Sequence, residues 1–544
     1  MKQCDTDQVI IHVYVRPIDV QSYPAGLAHS VHIACETEGA EWKPFNKNYG
    51  ILFAEGLIAG NNTIIPMGVR NPRIFRMDDG LIGICGERIH ENGEEDETSR
   101  GQVLLWKTLD LIHFESKGLV DGKAVIPDNP SDCLILERRL AEEAMLYWSP
   151  IVHTGTVVPG TVHIRSAQEL KEVPAILEYS DGSVRQKRIC WESESICFNQ
   201  PGAYVARGTI EQQHFRFPLA EGYGDPVVFP WEGKWYYIST NDNLNDIGLY
   251  LREALTVEAL FAKGAEEHLI LPFSPERGFE QTFWAPEFHV IGGELYILFA
   301  VSGHAWGPQC HMMKKKPDGR MTEADGWERP VRVVRKDGKP LATDAITLDM
   351  TFLRAEKDSY VIWSYREHIG TSLDSGSMLY IATIDERKPW QLTSDPVLLT
   401  RPLYGWENVE GTINNEGPNA FINDGTIYLT YSGGSANRYT YALGLLTANV
   451  ESDLMDLRSW TKSITPVLTF YSVDGEYGPG HNSFFTNEEG ELMIAYHAEK
   501  GLNETLRCDG IRRVHFRRDR TPYFGMSSGE DLGKETVSVT VIVE

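Results

Sequence analysis

From residue 222 onward the chain repeats one pattern of apolar and polar positions. Each copy has a short polar or proline-containing motif, an apolar run, a turn with glycine or charged residues, and a second run rich in Tyr, Ile and Leu. Two apolar runs around such a turn predict a β-hairpin. A third apolar segment usually follows, as at residues 247–251, and a fourth strand would complete a four-stranded sheet. The pattern therefore predicts an all-β fold for this part of the chain.

The copies recur at a nearly constant spacing. They begin near residues 225, 286, 349, 416 and 478. Sheets repeated in this way predict a β-propeller, whose radial closure leaves few exposed strand edges. A β-sandwich with regular hairpins is the alternative, but the constant place of the motif favours a five-bladed β-propeller. The motifs that head the copies are Asp225-Pro226, Ala285-Pro286-Glu287, Asp349-Met350, Glu416-Gly417-Pro418 and Gly478-Pro479-Gly480-His481.

Residues 1–133 contain one further, degenerate copy. Residues 70–75 are followed by a turn at 78–80 and an apolar run at 81–85, and Asn71 stands where Asp225 carries its carboxylate. We therefore predict a β-rich, propeller-like accessory region with no catalytic group of its own. A single blade cannot bury both of its faces, so this region is expected to pack on a neighbour.

Residues 134–212 have a different pattern. Short alternating strands and turns over residues 175–183 and 201–210, with Trp191 between them, predict a small β-sandwich. The segment is similar to a bacterial immunoglobulin-like domain. The predicted organisation is thus an accessory region at 1–133, an immunoglobulin-like sandwich at 134–212 and the propeller at 213–544.

Composition narrows the classes of partner. The formal net charge of -26 opposes binding to nucleic acid. No run of about 18 apolar residues is present, so no membrane partner is expected. Residues 1–7 show no basic segment followed by an apolar one, which predicts no signal peptide. Together with eight scattered cysteines, interpreted as reduced thiols, this predicts a cytoplasmic protein, or a secreted one if a leader has been removed.

The candidate chemistry lies in the motif heads. The innermost strands of a propeller begin at one end of its channel, so Asp225, Asp349 and Glu416 are expected to converge there. Gathering carboxylates is electrostatically costly, and proteins do it mainly for metal binding or acid–base catalysis. A fourth head carries His481.

These motifs resemble those of glycoside hydrolase family 43. The resemblance covers residues 215–525 and implies that Asp225 is a general base activating water. It also implies that Glu416 is a general acid, and that Asp349 raises the pKa of Glu416 and orients it. The family is inverting, which requires room for a water between base and acid. Met350 stands where the family often has Pro, so Asp344 remains an alternative to Asp349. The motifs are Gly224-Asp225-Pro226, Trp284-Ala285-Pro286-Glu287, Asp349, Glu416-Gly417-Pro418, Gly478-Pro479-Gly480-His481 and Tyr496-His497-Ala498.

Three further residues are candidates by the same resemblance. Trp284 could stack on a sugar or cap the core. Arg507 could contact the substrate or the acid, or be an ordinary surface residue. In relatives the histidine equivalent to His481 helps to hold a calcium ion, a sodium ion or a water cluster in the channel, and the alternative is a hydrogen-bonded structural histidine. No cofactor is expected to be required.

The predicted function is that of an inverting exo-glycosidase. It would release α-L-arabinofuranosyl or β-D-xylosyl units from short plant-type oligosaccharides by direct displacement with water. A β-D-galactofuranosidase or an endo-arabinanase on the same fold is the alternative. A non-catalytic carbohydrate-binding propeller would have a broken carboxylate set, and an interaction scaffold would gain nothing from three converging acids.

Overall fold

The computed structural model describes residues 7–36 and 41–544, and residues 1–6 of the segment interpreted for a signal peptide lie outside these ranges. The chain forms two compact units, one from residues up to 148 together with 217–511 and the other from 149–216 together with 512–544. Within the described ranges, no helix is long and apolar enough to cross a membrane. The α-helices are Ala25–Ala28, Gly122–Val125, Arg138–Trp148, Ala167–Lys171 and Val257–Leu260.

The predicted five-bladed propeller is confirmed. Five four-stranded antiparallel sheets follow one another, and in each of the first four the strand order is the sequence order. The innermost strands contact their neighbours in turn, and that of blade 5 contacts that of blade 1, which closes the ring. The strands are Tyr223–Trp231, Lys234–Asn241, Leu249–Ala254 and His268–Leu271 in blade 1; Gln281–Ile291, Glu294–Gly303, Trp306–Lys314 and Val331–Arg332 in blade 2; Ala345–Arg354, Ser359–Glu367, Met378–Ile384 and Val397–Thr400 in blade 3; Asn415–Asn423, Thr426–Gly433, Ala442–Asn449 and Thr461–Lys462 in blade 4; and Tyr477–Thr486, Leu492–Glu499 and Cys508–Arg513 in blade 5.

Blade 5 takes its outermost strand from the other end of the propeller sequence. Ala220–Glu221, which precedes blade 1, pairs with Cys508–Arg513 through Ala220 opposite Asp509 and Glu221 opposite Cys508. The last blade is thus completed by the first residues of the propeller, and the ring is held closed by backbone hydrogen bonds.

Every innermost strand carries the same backbone irregularity. Its pairing with the second strand skips two residues, and one residue in the gap has a positive φ, between 41° and 59°. Such a bulge breaks the alternation of the strand and re-aims a side chain, and it is frequent beside active sites. It explains why the heads of the repeats share one place in space. The residues are Asp225, Ala285, Asp349, Gly417 and His481, and Asn71 has the same conformation in the N-terminal sheet.

The N-terminal region belongs to the same compact unit as the propeller. It contains a blade-like sheet with strands in sequence order, a second four-stranded sheet and a short hairpin. Tyr23, Leu27 and Phe53 share one buried apolar cluster with Trp406, in the turn before blade 4, and with residues of blades 3 and 4. The strands are Met67–Arg76, Ile82–His90, Gln102–Thr108 and Glu115–Asp121; Cys133–Glu137, Gln8–Tyr14, His32–Glu36 and Trp42–Pro44; and Leu57–Ile58 and Ile64–Ile65.

Two glycines bring the N-terminal region against the turn that precedes the first strand of blade 4. A Cβ atom on Gly405 would lie 2.4 Å from the carbonyl oxygen of Gly26, and one on Gly26 would lie 2.9 Å from that of Gly405. Both obstacles are backbone atoms, which cannot rotate away. The contact therefore requires that neither residue has a side chain.

Gly405→Ala is expected to lower the free energy of unfolding by about 1–3 kcal/mol, the usual cost of forcing a methyl group into a packed interior. Urea unfolding measures the change. Gly60→Ala is the matched control, because a Cβ there meets nothing within 4 Å and the residue has no positive φ. Equal stability of the two variants would contradict the close approach.

The second unit has boundaries that differ from the predicted sandwich at 134–212. Cys133–Glu137 pairs with Gln8–Tyr14 in the N-terminal sheet, so residues 134–148 belong with the first unit. At the other end, Glu535–Val543 pairs along its whole length with Gly202–Ile210, because its alternating valines supply the missing apolar face. The residues after Arg513, where the last strand of blade 5 ends, therefore do not belong to the propeller, although the prediction for 213–544 had placed them there.

Two sheets build this second unit. One has three strands and the other four, and Trp191 packs against the apolar clusters of both. Its likeness to an immunoglobulin-like domain stays a prediction. The strands are His153–Val157, Ala175–Tyr179 and Val184–Lys187; Thr161–Ile164, Glu535–Val543, Gly202–Ile210 and Cys190–Glu192; and the hairpin His515–Phe516 with Pro522–Tyr523.

Candidate active site

A cavity of about 800 Å³ gathers the predicted site residues. It lies where the innermost strands begin, and Asp225, Asp349, Glu416 and His481 line it together with residues from the loops between strands. Asp344, the alternative to Asp349, is exposed and lies outside the cavity lining. Trp284 and Arg507, the two predicted substrate-binding residues, also line the cavity.

Asp225 is held as a carboxylate. Its Oδ1 atom accepts a hydrogen bond from Nη1 of Arg507 at 3.0 Å and lies 3.1 Å from Nδ1 of His481. Burial by itself would raise the pKa of Asp225, but the positive charges of His481 and Arg507 hold that pKa well below its usual range. Thr240 donates a hydrogen bond to the other carboxylate oxygen. These contacts therefore favour the ionised form of Asp225.

His497 contacts the backbone of Asp225. Its Nδ1 accepts a hydrogen bond from the backbone nitrogen of Asp225 at 3.2 Å, and Tyr441 stacks on its ring. Burial lowers the pKa of His497 to about 4. A neutral imidazole with a free lone pair on Nδ1 is the form that this contact needs.

Asp349 connects blades 3 and 4. Its Oδ2 atom accepts hydrogen bonds from Ser364 and from the backbone nitrogen of Gly417, both at 3.1 Å. Gly417 directly follows Glu416, so the contact ties Asp349 to the strand that carries the other carboxyl group. Burial raises the pKa of Asp349, and the charge of Asp225 adds to this, while His481 opposes it.

Glu416 differs from Asp225 in its charge state. Burial raises the pKa of Glu416 to about 7, and the negative charge of Asp349 contributes to the shift. The hydroxyl group of Tyr441 donates to Oε1 of Glu416 at 3.0 Å. Below about pH 7 the cavity thus contains a carboxylate and a carboxylic acid, which is the division of roles that glycosidases use.

His481 binds Asp225 directly. Burial lowers the pKa of His481, but the surrounding carboxylates of Asp225, Asp349 and Glu416 outweigh burial and raise it. Within residues 7–36 and 41–544, no group of three or more His, Cys, Asp or Glu side chains is arranged to hold a metal ion. The channel ion stays a prediction from the family resemblance.

The sequence did not indicate two acidic residues of the cavity. Asp242 accepts hydrogen bonds from Nε and Nη2 of Arg507, so this arginine joins Asp242 to Asp225. Asp246 accepts a hydrogen bond from Nε1 of Trp284 at 2.8 Å. Both lie in a loop after the second strand of blade 1, where polar residues are ordinary and carry no motif.

The chain is similar to several proteins of known name. It is 30% identical over 322 residues to an extracellular exo-alpha-(1->5)-L-arabinofuranosidase of Streptomyces avermitilis, which covers 57% of this chain and 63% of that protein. It is 31% identical over 301 residues to a protein of the same name from Streptomyces chartreusis, covering 54% and 86% of the two chains. The match thus spans less than two thirds of the first relative's length.

A solved structure shows the same fold. The α-L-arabinofuranosidase of Lactobacillus brevis superimposes with a TM-score of 0.50 and 28% identity, covering 58% of this chain and 97% of that one.

The comparisons correct the predicted localisation. The sequence predicted a cytoplasmic protein, but both Streptomyces relatives are described as extracellular. The prediction had rested on the first seven residues and on cysteine usage, and neither distinguishes a cytoplasmic protein from the mature part of a secreted one.

The predicted family is confirmed by a match to the family model described as glycosyl hydrolases family 43, over residues 215–522. The matched region contains the five blades and all the carboxylates of the cavity. The fold, the placement of Asp225, Asp349 and Glu416, and this match agree, and the chain belongs to glycosyl hydrolase family 43.

Proposed function

We propose that this protein is an inverting, exo-acting glycoside hydrolase that releases α-L-arabinofuranosyl units from short oligosaccharides. The observation that carries the proposal is the pair of carboxyl groups in one cavity with opposite charge states. Asp225 is kept ionised by Arg507 and His481, and Glu416 is kept protonated by burial and by Asp349.

In the proposed reaction one carboxyl group accepts a proton and the other donates one. Asp225 takes a proton from a water molecule as that water attacks the anomeric carbon. Glu416 gives its proton to the glycosidic oxygen as the bond to the leaving group breaks. Because water attacks from the face opposite the leaving group, the anomeric configuration inverts. Exchange with solvent then returns Asp225 and Glu416 to their starting states.

Asp349 is proposed to act through Glu416. Its negative charge favours the protonated form of Glu416, and its hydrogen bond from the backbone of Gly417 fixes the strand at that point. Burial and the neighbouring carboxylate both favour the neutral form of Glu416, so both keep a proton on this acid.

The choice of sugar is supported by the named relatives. Both Streptomyces proteins are named as exo-acting arabinofuranosidases. β-D-Xylosides, β-D-galactofuranosides and internal arabinan bonds are the competing substrates. Aryl α-L-arabinofuranoside, β-D-xyloside and β-D-galactofuranoside should be assayed in parallel, with arabino-oligosaccharides and linear arabinan beside them.

We expect turnover of the arabinofuranoside, release of single arabinose units from oligosaccharides, and the β-anomer as first product by proton NMR. Retained configuration would overturn the proposed mechanism, and oligomeric products from arabinan would overturn the exo assignment. Binding of arabino-oligosaccharides without turnover of any substrate would instead indicate a carbohydrate-binding propeller.

The ratio kcat/KM is expected to fall as the pH rises through about 7. Glu416 acts only while protonated, and its pKa is raised to about 7, so the active form is present below that pH and disappears above it. No fall is expected on the mildly acidic side, because the pKa of Asp225 is lowered well below its usual range. A pH–rate profile on a natural disaccharide tests this, and a profile with its basic limb near pH 5 would contradict the assignment.

A further inference from the structure

The aromatic ring of Trp284 is held from one loop of the neighbouring blade. Trp284 is half-buried and lines the cavity, and its Nε1 donates to Oδ2 of Asp246 at 2.8 Å. The carbonyl oxygen of the same Asp246 accepts a hydrogen bond from the backbone nitrogen of Phe283 at 3.0 Å. Asp246 thus accepts hydrogen bonds both from the backbone beside Trp284 and from the edge of its indole ring.

The segments on both sides of this contact have unusual backbone conformations. Asn245 and Asp246 are consecutive residues with φ of 53° and 57°, and Thr282 and Ala285 on either side of Trp284 have φ of 55° and 46°. Non-glycine residues in the left-handed region cost free energy and persist where the surroundings enforce them, commonly at functional sites. Ala285 has the bulge conformation found in every blade, but Asn245, Asp246 and Thr282 are additional to it. These three indicate that the surroundings enforce the backbone on both sides of the hydrogen bond.

The same loop reaches the general base. Asp242, four residues before Asp246, receives two hydrogen bonds from Arg507, and Arg507 also donates to Asp225. Burial and the nearby charge of Asp242 raise the pKa of Asp246, while the indole hydrogen bond opposes the rise. Trp284, Asp246, Asp242 and Arg507 therefore form the wall of the cavity beside Asp225.

We propose that Asp246 is a positioning residue that holds Trp284 as the surface on which the terminal sugar stacks, and so determines the affinity for that sugar. This inference rests on the proposed function, because a stacking surface matters for a carbohydrate substrate. An indole ring presents a large flat apolar face, and a hydrogen bond on its Nε1 sets the angle of that face. In the proposed reaction the proton transfers belong to Asp225 and Glu416, so the effect of Asp246 is expected on binding.

Two variants separate the hydrogen bond from the charge. Asp246→Asn keeps an oxygen that accepts from Trp284, and we expect its KM for the arabinofuranoside to change by less than about threefold. Asp246→Leu removes the acceptor and is expected to raise KM about tenfold or more, which is the size of a lost hydrogen bond to a charged group, with kcat within about threefold. An equal rise of KM in both variants would overturn the proposal.

A double-mutant cycle shows whether Asp246 acts through Trp284. Each substitution is measured alone and in the Trp284→Phe background, whose ring has no nitrogen to hold. If Asp246 acts through the indole, Asp246→Leu should raise KM less than about twofold in that background. A tenfold rise in both backgrounds would mean that Asp246 binds substrate independently of Trp284.

A measurement without substrate keeps this inference distinct from the proposed function. The protein is labelled with 5-fluorotryptophan, and the fluorine NMR signal of Trp284 is assigned by its loss in Trp284→Phe. One sharp signal is expected in the wild type and in Asp246→Asn, and a broadened or split one in Asp246→Leu. An unchanged signal in Asp246→Leu would overturn the positioning role, whereas an inert wild type with the expected spectra would overturn only the proposed function.

Discussion

Replacing Asp225 by Asn is expected to lower kcat by about 10³–10⁴-fold on every substrate, whatever its leaving group. The amide cannot take a proton from water, and general-base catalysis contributes up to that amount. Attack by water requires the base with all substrates. The value of kcat should therefore fall by similar factors on aryl glycosides and on natural disaccharides. The measurement is kcat on both classes of substrate.

Asp344→Asn is the matched control for Asp225→Asn. It makes the same chemical change in the same propeller at an exposed residue outside the cavity, and activity should stay near that of the wild type. Asp225→Asn also leaves Arg507 and His481 without their shared anion, so its folding must be verified by near-ultraviolet circular dichroism. A folded Asp225→Asn protein with kcat within tenfold of wild type would exclude Asp225 as the base.

Glu416→Gln is expected to discriminate between leaving groups. On a natural disaccharide kcat should fall by about 10²–10⁴-fold, since an alcohol leaves poorly without a proton. On an aryl glycoside with an acidic phenol the fall should be much smaller, because the phenolate departs unaided. The basic limb of the pH profile should disappear with the residue that causes it. Measuring kcat on both substrates across pH tests all three expectations.

Glu410→Gln serves as the control for Glu416→Gln. Glu410 lies on an exposed turn before the same strand and pairs with Arg438 at 3.6 Å, outside the cavity lining. Its substitution should leave kcat on both substrates unchanged. If Glu416→Gln lowered kcat on the two substrates by the same factor, Glu416 would not be the residue that protonates the leaving group.

The propeller and its carboxylates were predictable because their signals are local. The pattern of each hairpin, two apolar runs around a turn, covers about 20 consecutive residues. The innermost strand of each blade begins at the motif that heads the repeat, so one structural rule brings Asp225, Asp349 and Glu416 together. The structure also explains the shared position, since each of these strands has its bulge at the motif.

The parts that escaped prediction depend on distant partners. The strand Glu535–Val543 has a clear alternating pattern of apolar residues. Its partner Gly202–Ile210 lies more than 300 residues earlier, and the local sequence does not identify that partner. In the same way, Asp246 and Trp284 are 38 residues apart in different blades, and an aspartate in a loop is ordinary. The N-terminal region was expected to pack on a neighbour, but its apolar residues do not reveal that this neighbour is blades 3 and 4.

The pairing of Glu535–Val543 with Gly202–Ile210 has a consequence for biosynthesis. At about 5–20 residues per second, the ribosome needs about 15–65 s to deliver the second of these strands after the first. Every residue of the propeller, including the closing strand of blade 5, leaves the ribosome before that time. We therefore expect the catalytic ring to close on a nascent chain whose second unit still lacks the strand that carries Val539, Val541 and Val543. We therefore expect the second unit to be completed after the ring, although its sequence begins before the ring.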